Sequence, residues 1–307
     1  MNQRVEMSRP AQALRPGLAV AVAVVAAASS FPFIRMGLQG LPPLELAAAR
    51  FGVAALLLLP WLAWRRPELP GFMDGVRFLL CGVLGVALFH VLLNTGELTV
   101  QAGAASFIVN TMPIMTALLS AIFLRETLPL WGWMGSLCSL GGVALIAQGQ
   151  PGSLGLIAGS SLILGAAFSC ALFAVLQKSL VARYGAVPST AYTLLAGAVC
   201  LSPWWPEALA ALEPADTRTV FAVAWLGVFP SVIGYASWSY ALGYFGALKA
   251  ANFLYLVPVV ASLLSVFLLD ESTGILTLAG GALVVAGVIA VNLYGVDSGM
   301  AQPLHGQ

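Results

Sequence analysis

Residues 103–126 read GAASFIVNTMPIMTALLSAIFLRE, an apolar run with one proline near its middle and a glutamate at its end. The pattern returns at residues 248–271 as LKAANFLYLVPVVASLLSVFLLDE. Pro258 follows Pro113 by 145 residues, and the two terminal glutamates are separated by the same 145. Apolar composition alone would not readily align a proline and a glutamate together. The two runs therefore indicate an internal repeat.

The composition is that of a membrane protein. Of the 307 residues, 60% are hydrophobic and 8% are charged, and the mean hydropathy is +0.95. A soluble domain is about 25% charged, so the expected solvent is lipid. The net charge of +1 gives no support to a nucleic-acid partner. The cysteines all lie in apolar runs without metal-ligand spacing, so no metal or cofactor is predicted.

Ten apolar runs are long enough to cross a bilayer, which takes about 20 residues. They cover residues 17–37, 43–64, 74–96, 102–124, 129–148, 154–178, 188–204, 217–242, 248–269 and 274–295. The connections between them are short and carry the turn formers proline and glycine. The predicted fold class is an all-α integral membrane protein with ten transmembrane helices.

The repeat predicts how these spans are arranged. A shift of 145 residues maps the third span onto the eighth, the fourth onto the ninth and the fifth onto the tenth. Because the members of each pair are displaced by five spans, an odd number, the two halves have opposite orientations in the membrane. Residues 1–150 and 151–307 are thus predicted to be two inverted five-helix repeats, an architecture of many secondary transporters.

The positions of Lys and Arg predict the orientation of the chain. With the amino terminus in the cytoplasm, ten of them lie on the cytoplasmic side, and only Arg35, Arg50 and Arg218 lie elsewhere. This positive-inside bias places both termini in the cytoplasm. Arg35 and Arg50 fall near the outer ends of their spans, where they are expected to snorkel to the interface or to pair with Glu45.

The chain resembles the drug/metabolite transporter superfamily, EamA type. The resemblance rests on PPLELAAARF at 42–51, AASFIVNTMPIMTALLSAIFLRE at 104–126, GSLCSLGGVAL at 135–145 and AGGALVVAGVIAVN at 279–292. It covers nearly the whole chain and is specific to family level, because the motifs occur in two copies at fixed spacing. The resemblance implies alternating access, export of a small metabolite and a bacterial inner (plasma) membrane location.

Within the superfamily, the chain is most similar to amino-acid exporters of the YddG type. It departs from the family pattern in one respect. The family often has tryptophan on the first and sixth helices, where this chain has Ala27 and Cys170. If these positions face the substrate cavity, the smaller side chains leave room for a larger substrate.

Polar side chains inside a span are costly and tend to face a cavity or a partner helix. His90 and Asn94 are four residues apart on the third span and share a helix face. The repeat places Tyr235, on the eighth span, opposite His90. The predicted substrate-binding residues are Ser30, Phe33, His90, Asn94, Asn110, Phe168, Ser169, Tyr235, Trp238, Asn252 and Tyr255.

Each of these side chains also has a purely structural interpretation. His90 can hydrogen-bond a neighbouring helix, and Asn110 can satisfy a backbone group that Pro113 frees. The serines can simply allow close helix packing. Pro113 and Pro258 are predicted to be hinges at which two helix hairpins bend to close opposite sides of one cavity.

The sequence favours a carrier over a membrane-embedded enzyme or a channel subunit. An enzyme needs a nucleophile, a metal or an acid–base pair, whereas no carboxylate lies mid-span and His90 is the only histidine in a span, so no catalytic residue is predicted. Aromatic side chains with few fixed charges favour neutral and aromatic amino acids, with amphipathic drugs as the alternative. Strongly charged substrates would require a buried Arg or Lys, and none is expected at the centre. The expected partners are the substrate and the lipid bilayer, around a monomer or a homodimer.

The predicted orientation is testable by cysteine labelling. Single cysteines are introduced into a cysteine-free background and labelled on intact cells with an impermeant thiol reagent. We expect a cysteine in the 205–216 loop to be labelled and Glu68→Cys, in the 65–77 loop, to be protected. Strong labelling of Glu68→Cys from outside would contradict the orientation.

Overall fold

The computed structural model describes residues 9–100, 102–125, 129–148, 158–269 and 274–294. Its α-helices are α1 (Arg9–Gly37), α2 (Pro43–Arg65), α3 (Phe72–Gly82), α4 (Phe89–Gly96), α5 (Ala102–Val109), α6 (Met112–Phe123), α7 (Leu130–Gln148), α8 (Ala158–Tyr184), α9 (Ala186–Leu201), α10 (Trp205–Leu212), α11 (Thr217–Leu226), α12 (Tyr235–Phe253), α13 (Leu256–Leu269) and α14 (Ile275–Tyr294). These ranges contain no β-strand, which confirms the all-α class. The repeat's terminal Glu126 and Glu271, and the predicted boundary at residue 150, lie outside the described residues.

Several helical stretches are long and apolar enough to cross a bilayer. In the described residues there are six of them: Arg15–Gly37, Pro43–Arg65, Phe72–Gly96, Gly159–Tyr184, Ala186–Leu212 and Thr217–Phe253. The chain is therefore a multi-span membrane protein. Shorter apolar helices occupy Met112–Phe123, Leu130–Leu145 and Leu278–Val291. The count of ten crossings stays a prediction.

The predicted fourth and ninth spans are each interrupted just before their proline. The break between α5 and α6 falls at Asn110, three residues before Pro113, and the break between α12 and α13 falls at Tyr255, three residues before Pro258. A proline removes one helix hydrogen bond and crowds the preceding turn. The prolines thus account for both breaks. A further kink lies at Gly246, whose φ of 79° suits glycine.

The predicted third and eighth spans each contain a π-helical segment. The first segment, Val83–Leu88, joins α3 to α4, and the second, Gly227–Gly234, joins α11 to α12. In a π-helix the backbone hydrogen bonds join residues five apart, and such segments occur often at functional sites. The hydroxyl of Tyr235 donates to the carbonyl of Gly85. The first π-helical segment is therefore tied to the residue that directly follows the second.

Helices α7 and α14 pack through small residues. A Cβ atom added at Gly142 would lie 2.6 Å from the carbonyl oxygen of Gly280, and one at Gly287 would lie 2.5 Å from that of Gly135. The Ser139 hydroxyl donates to the carbonyl of Val284 at 3.2 Å. Close backbone approach of this kind is how helices gain contact area in a lipid solvent, where the hydrophobic effect does not drive them together.

An ionic cluster ties the start of α3 to the end of α8. Asp74 accepts from Arg183 at 2.6 Å, from the hydroxyl of Tyr184 at 2.8 Å and from Arg77 at 3.1 Å. Both helix ends therefore lie on one side of the bundle. The positive-inside pattern predicts that this side faces the cytoplasm.

The α7–α14 contact predicts a sharp difference between two neighbouring glycines. Gly142→Ala should destabilise the protein by about 1–3 kcal/mol, because the new methyl group overlaps backbone atoms of α14. The matched control is Gly141→Ala, whose methyl group would meet nothing closer than 3.9 Å. Thermal unfolding of the purified variants in detergent measures the difference. Equal midpoints for the two variants would contradict this packing.

Candidate functional site

A cavity of about 140 Å³ lies among helices from both halves of the chain. One enclosed water needs about 10–15 Å³ by a comparable measure, so the cavity has room for a small molecule. Its lining residues are Ala23, Ala27, Ser30, Phe31, Ile34, Arg50, Phe89, His90, Leu93, Val109, Asn110, Met112, Pro113, Cys170, Phe173, Pro230, Gly234, Tyr235, Trp238, Leu254 and Val257. Most of them are apolar or aromatic, as is usual for a site that binds small molecules. We call it the central cavity.

The central cavity brings together about half of the predicted site residues. Those on its wall are Ser30, His90, Asn110, Tyr235 and Trp238, together with the predicted hinge Pro113. Ala27 and Cys170, which stand where the family often has tryptophan, are also on the wall. The small side chains therefore enlarge this cavity, as the sequence suggested.

Other predicted residues lie elsewhere. Phe33 stacks on Trp225 with ring centroids 5.1 Å apart, and the side-chain amide of Asn94 donates to the carbonyl of Pro43 at 3.0 Å. Phe168 is 47% exposed on the outer surface of α8. Neither these three nor the predicted hinge Pro258 lines the central cavity.

Three more predicted residues are engaged in helix packing. Ser169 donates to the carbonyl of Leu84 at 2.7 Å. Asn252 accepts from the Ser136 hydroxyl at 2.8 Å and donates to the carbonyl of its own helix one turn back. Tyr255 is fully buried in an apolar cluster with Val143 of α7 and with Val284 and Val288 of α14. Contact of any predicted residue with a substrate stays a prediction.

Arg50 is the functional candidate that sequence reasoning missed. It was expected to snorkel or to pair with Glu45, yet it is only 3% exposed and lines the central cavity. Its Nε donates to the Ser231 hydroxyl at 2.7 Å. One signal could have found it. Arg50 stands seven residues inside α2, about 10 Å from the helix start, which is too deep for the interface.

His90 is held by its backbone and by aromatic rings. Its Nδ1 lies 2.9 Å from the carbonyl oxygen of Val86, and a carbonyl can only accept, so Nδ1 carries a proton. The rings of Phe51 and Phe89 lie with centroids 4.7 Å from that of His90, both edge-on. In the neutral imidazole, Nε2 is then an acceptor.

Asn110 combines a structural and a potential binding group. Its amide nitrogen donates to the carbonyl of Ser106 at 2.7 Å, one turn back. Its Oδ1 is buried and has no hydrogen-bond partner among the described residues. An orphaned acceptor on a cavity wall is costly in the empty protein. Asn110 lines the central cavity, so a small shift of its side chain would let Oδ1 accept a hydrogen bond from a ligand.

Glu97 follows directly after the last residue of α4. It is only 2% exposed, and neither carboxyl oxygen has a hydrogen-bond partner among the described residues. An ionised carboxylate in such surroundings is strongly disfavoured. Glu97 does not line the central cavity, but it is the buried acid nearest to His90 along α4.

An all-helical chain that spans the membrane several times around a central cavity has the architecture of a solute transporter. The chain belongs to the EamA-like transporter family, whose model matches residues 15–148 and again residues 157–293. It is thus a membrane transporter of the drug/metabolite transporter superfamily.

Related proteins extend over most of the chain. The uncharacterised transporter YdfC of Bacillus subtilis (strain 168) is 36% identical over 85% of this chain and 85% of its own length. A probable terminal-alkyne amino-acid exporter of Streptantibioticus cattleyicolor is 34% identical over 89% of this chain and 92% of its own. The inner membrane transporter YedA of Escherichia coli (strain K12) is 30% identical over 86% of each. A solved crystal structure aligns with a TM-score of 0.72 over 91% of this chain and 96% of its own at 18% identity, which supports the fold alone.

The geometry of His90 predicts a binding role without proton coupling. His90→Gln keeps hydrogen-bonding groups but cannot titrate. Loss of one well-placed hydrogen bond should weaken the apparent affinity for substrate about 2- to 10-fold, while net downhill flux persists. Flux into proteoliposomes is measured with and without an imposed pH gradient. If the wild type accumulates substrate under that gradient and His90→Gln loses only the accumulation, His90 is a coupling site. Accumulation that survives in His90→Gln and disappears in Glu97→Gln would instead assign coupling to Glu97.

Proposed function

We propose that this protein is a secondary transporter that exports small metabolites, with neutral and aromatic amino acids as substrates. The observation that carries the proposal is the wall of the central cavity. Phe173 and Trp238 provide aromatic surface, while Ala27 and Cys170 leave space beside them. A side chain such as that of phenylalanine or leucine suits these surroundings. The relation to a probable amino-acid exporter supports the same substrate class.

The transport mechanism in this proposal is alternating access between two inverted five-helix repeats, residues 1–150 and 151–307. The family model matches the chain twice, once in each half. The helix breaks fall at residues 110–111 and 254–255, which matches the 145-residue shift of the two sequence motifs to within one residue. The π-helical segments follow the same shift to within a residue or two. Inverted halves can exchange conformations, which opens one cavity to each side in turn.

The proposed location is the bacterial inner membrane, with both termini in the cytoplasm and the protein acting as a monomer or a homodimer. The uneven distribution of Lys and Arg supports this orientation. One relative is itself described as an inner membrane transporter. Export then carries the substrate from the cytoplasm outward, down its own gradient.

The alternative is efflux of amphipathic drugs. The mostly apolar wall of the central cavity favours this alternative, because such a wall can bind apolar molecules of many different shapes. A membrane-embedded enzyme or a channel subunit is less favoured. Among the described residues, no group of three or more His, Cys, Asp or Glu side chains is placed to hold a metal.

Solute counterflow tests the proposed function. Proteoliposomes loaded with unlabelled phenylalanine should take up labelled phenylalanine transiently above the external concentration, because a carrier exchanges solutes and a channel does not. Protein-free liposomes are the control. Counterflow of a fluorescent amphipathic dye without counterflow of any amino acid would favour the alternative. No counterflow of either would contradict a carrier.

The proline breaks predict how transport depends on bending. Pro113→Ala and Pro258→Ala should lower the counterflow rate more than the yield of folded protein, because each restores a regular helix at a proposed hinge. Pro60→Ala is the matched control, since Pro60 lies inside α2 and is exposed away from the central cavity. Wild-type counterflow in both hinge variants would leave the breaks as static kinks.

A further inference from the structure

We propose that Arg50 binds the carboxylate of the transported molecule, so that the central cavity selects small zwitterions and monocarboxylates with an apolar side chain. The inference rests on the proposed function, since it names the substrate group that the same cavity recognises. It also reverses the expectation from the sequence that no cation lies at the centre of the protein.

The guanidinium group of Arg50 is oriented and only partly used. Its Nε donates to the Ser231 hydroxyl at 2.7 Å, and Ser231 in turn donates to the carbonyl of Leu226 at 2.8 Å. Ser231 is fully buried in the second π-helical segment, so it holds one edge of the guanidinium in place. No nitrogen of Arg50 besides Nε hydrogen-bonds to a described residue. The remaining N–H groups form the fork that binds a carboxylate through two parallel hydrogen bonds.

The charge of Arg50 has no counter-ion in the described part of the chain. The ion pairs found there involve Asp74, at the start of α3, and the residues that line the central cavity include no acid. Glu97 is buried just after the end of α4, but its carboxyl group makes no hydrogen bond to Arg50. A buried cation without a partner is costly, and a carboxylate that enters the cavity removes much of that cost.

The wall of the central cavity also offers acceptors for an amine. Oδ1 of Asn110 has no partner, and Nε2 of a neutral His90 is an acceptor whose ring is fixed through Nδ1. Both side chains line the central cavity with Arg50. One cation and two neutral acceptors match the carboxylate and ammonium groups of an amino acid. Because the acceptors carry no charge, the carboxylate is the stronger determinant of binding.

The arrangement also discriminates against the alternative substrates. A cationic amphipathic drug would bring a second positive charge beside Arg50 in a site of low dielectric constant, where like charges repel strongly. Simple carboxylates would keep the favourable contact and lose only the weaker one to Asn110 and His90. Selection therefore follows the order zwitterion, monocarboxylate, then amine or alcohol.

Binding to wild-type protein tests this order directly. Purified full-length protein in detergent is mixed with phenylalanine, 3-phenylpropionate, phenylalaninol or phenethylamine, and the affinity is read from the ligand-dependent rise in the thermal unfolding midpoint. We expect phenylalanine and 3-phenylpropionate to bind. The two molecules without a carboxylate should bind about 10- to 100-fold more weakly, as expected for loss of a charge-assisted contact.

Variants assign the effect to the residue. Arg50→Gln should bind phenylalanine and phenylalaninol about equally, and Arg50→Lys should retain part of the preference, since it keeps the charge without the fork. Arg65→Gln is the matched control, because it removes a positive charge at the exposed end of α2 and should preserve the full preference. If Arg50→Gln does not fold, the four ligands compared on the wild-type protein still show whether binding requires a carboxylate.

The outcomes separate this inference from the proposed function. Phenylalaninol binding as tightly as phenylalanine in the wild type, or an undiminished preference in folded Arg50→Gln, would overturn the role of Arg50 while leaving amino-acid counterflow intact. Binding of 3-phenylpropionate that depends on Arg50, with no amino-acid counterflow, would support the anion site and reject the amino-acid exporter. Absence of binding by all four molecules would overturn the inference.

Discussion

A guanidinium group buried in a membrane protein keeps its charge, because arginine does not lose its proton under accessible conditions. The surrounding structure must therefore compensate for it. Here the compensation comes from Ser231 at 2.7 Å and from the ring of Phe51, whose centroid lies 5.2 Å from Cζ. Neither carries a negative charge. The described residues therefore leave the positive charge of Arg50 without a counter-ion at the central cavity, and the proposed substrate carboxylate would supply one.

The same contact joins the two halves of the chain. Arg50 belongs to α2, while Ser231 belongs to the second π-helical segment, which also approaches α2 so closely that a Cβ atom at Gly227 would lie 2.9 Å from the carbonyl oxygen of Arg50. Tyr235, at the end of that segment, donates to the carbonyl of Gly85 in the first one. The proposed binding at Arg50 would therefore act directly on the second π-helical segment and, through Tyr235, on the first. This gives a physical link between an occupied cavity and a change in the packing of the two halves.

Much of the fold was predictable because lipid imposes simple rules. Long apolar runs predict helices, and the breaks at Asn110 and Tyr255 fall where Pro113 and Pro258 interrupt the backbone hydrogen bonds. The π-helical segments were not predicted, because residues 83–88 and 227–234 share no sequence feature that would mark an irregular turn. The second segment contains Pro230, whereas the first contains no proline. Both segments depend on how neighbouring helices pack.

The candidate site was predicted only in part, for a reason specific to membrane helices. A span that is apolar all round has no polar stripe to show which side faces the interior. Phe168 and Ser169 were both placed in the site, yet Phe168 points outward and Ser169 packs against the first π-helical segment. Arg50 was assigned to the interface because it falls near the outer end of its span, although its depth in α2 places it inside. His90 was identified as a polar side chain inside an apolar span, and Tyr235 because the repeat places it opposite His90.

The most direct measurement is a crystal structure of the protein with 4-bromophenylalanine, in which anomalous scattering locates the bromine independently of the model. The bromine peak should lie in the central cavity against the aromatic wall formed by Phe173 and Trp238. The carboxylate should lie about 2.7–2.9 Å from the terminal nitrogens of Arg50. A bromine peak outside the central cavity, or a carboxylate that points away from Arg50, would contradict a carboxylate-anchored transporter.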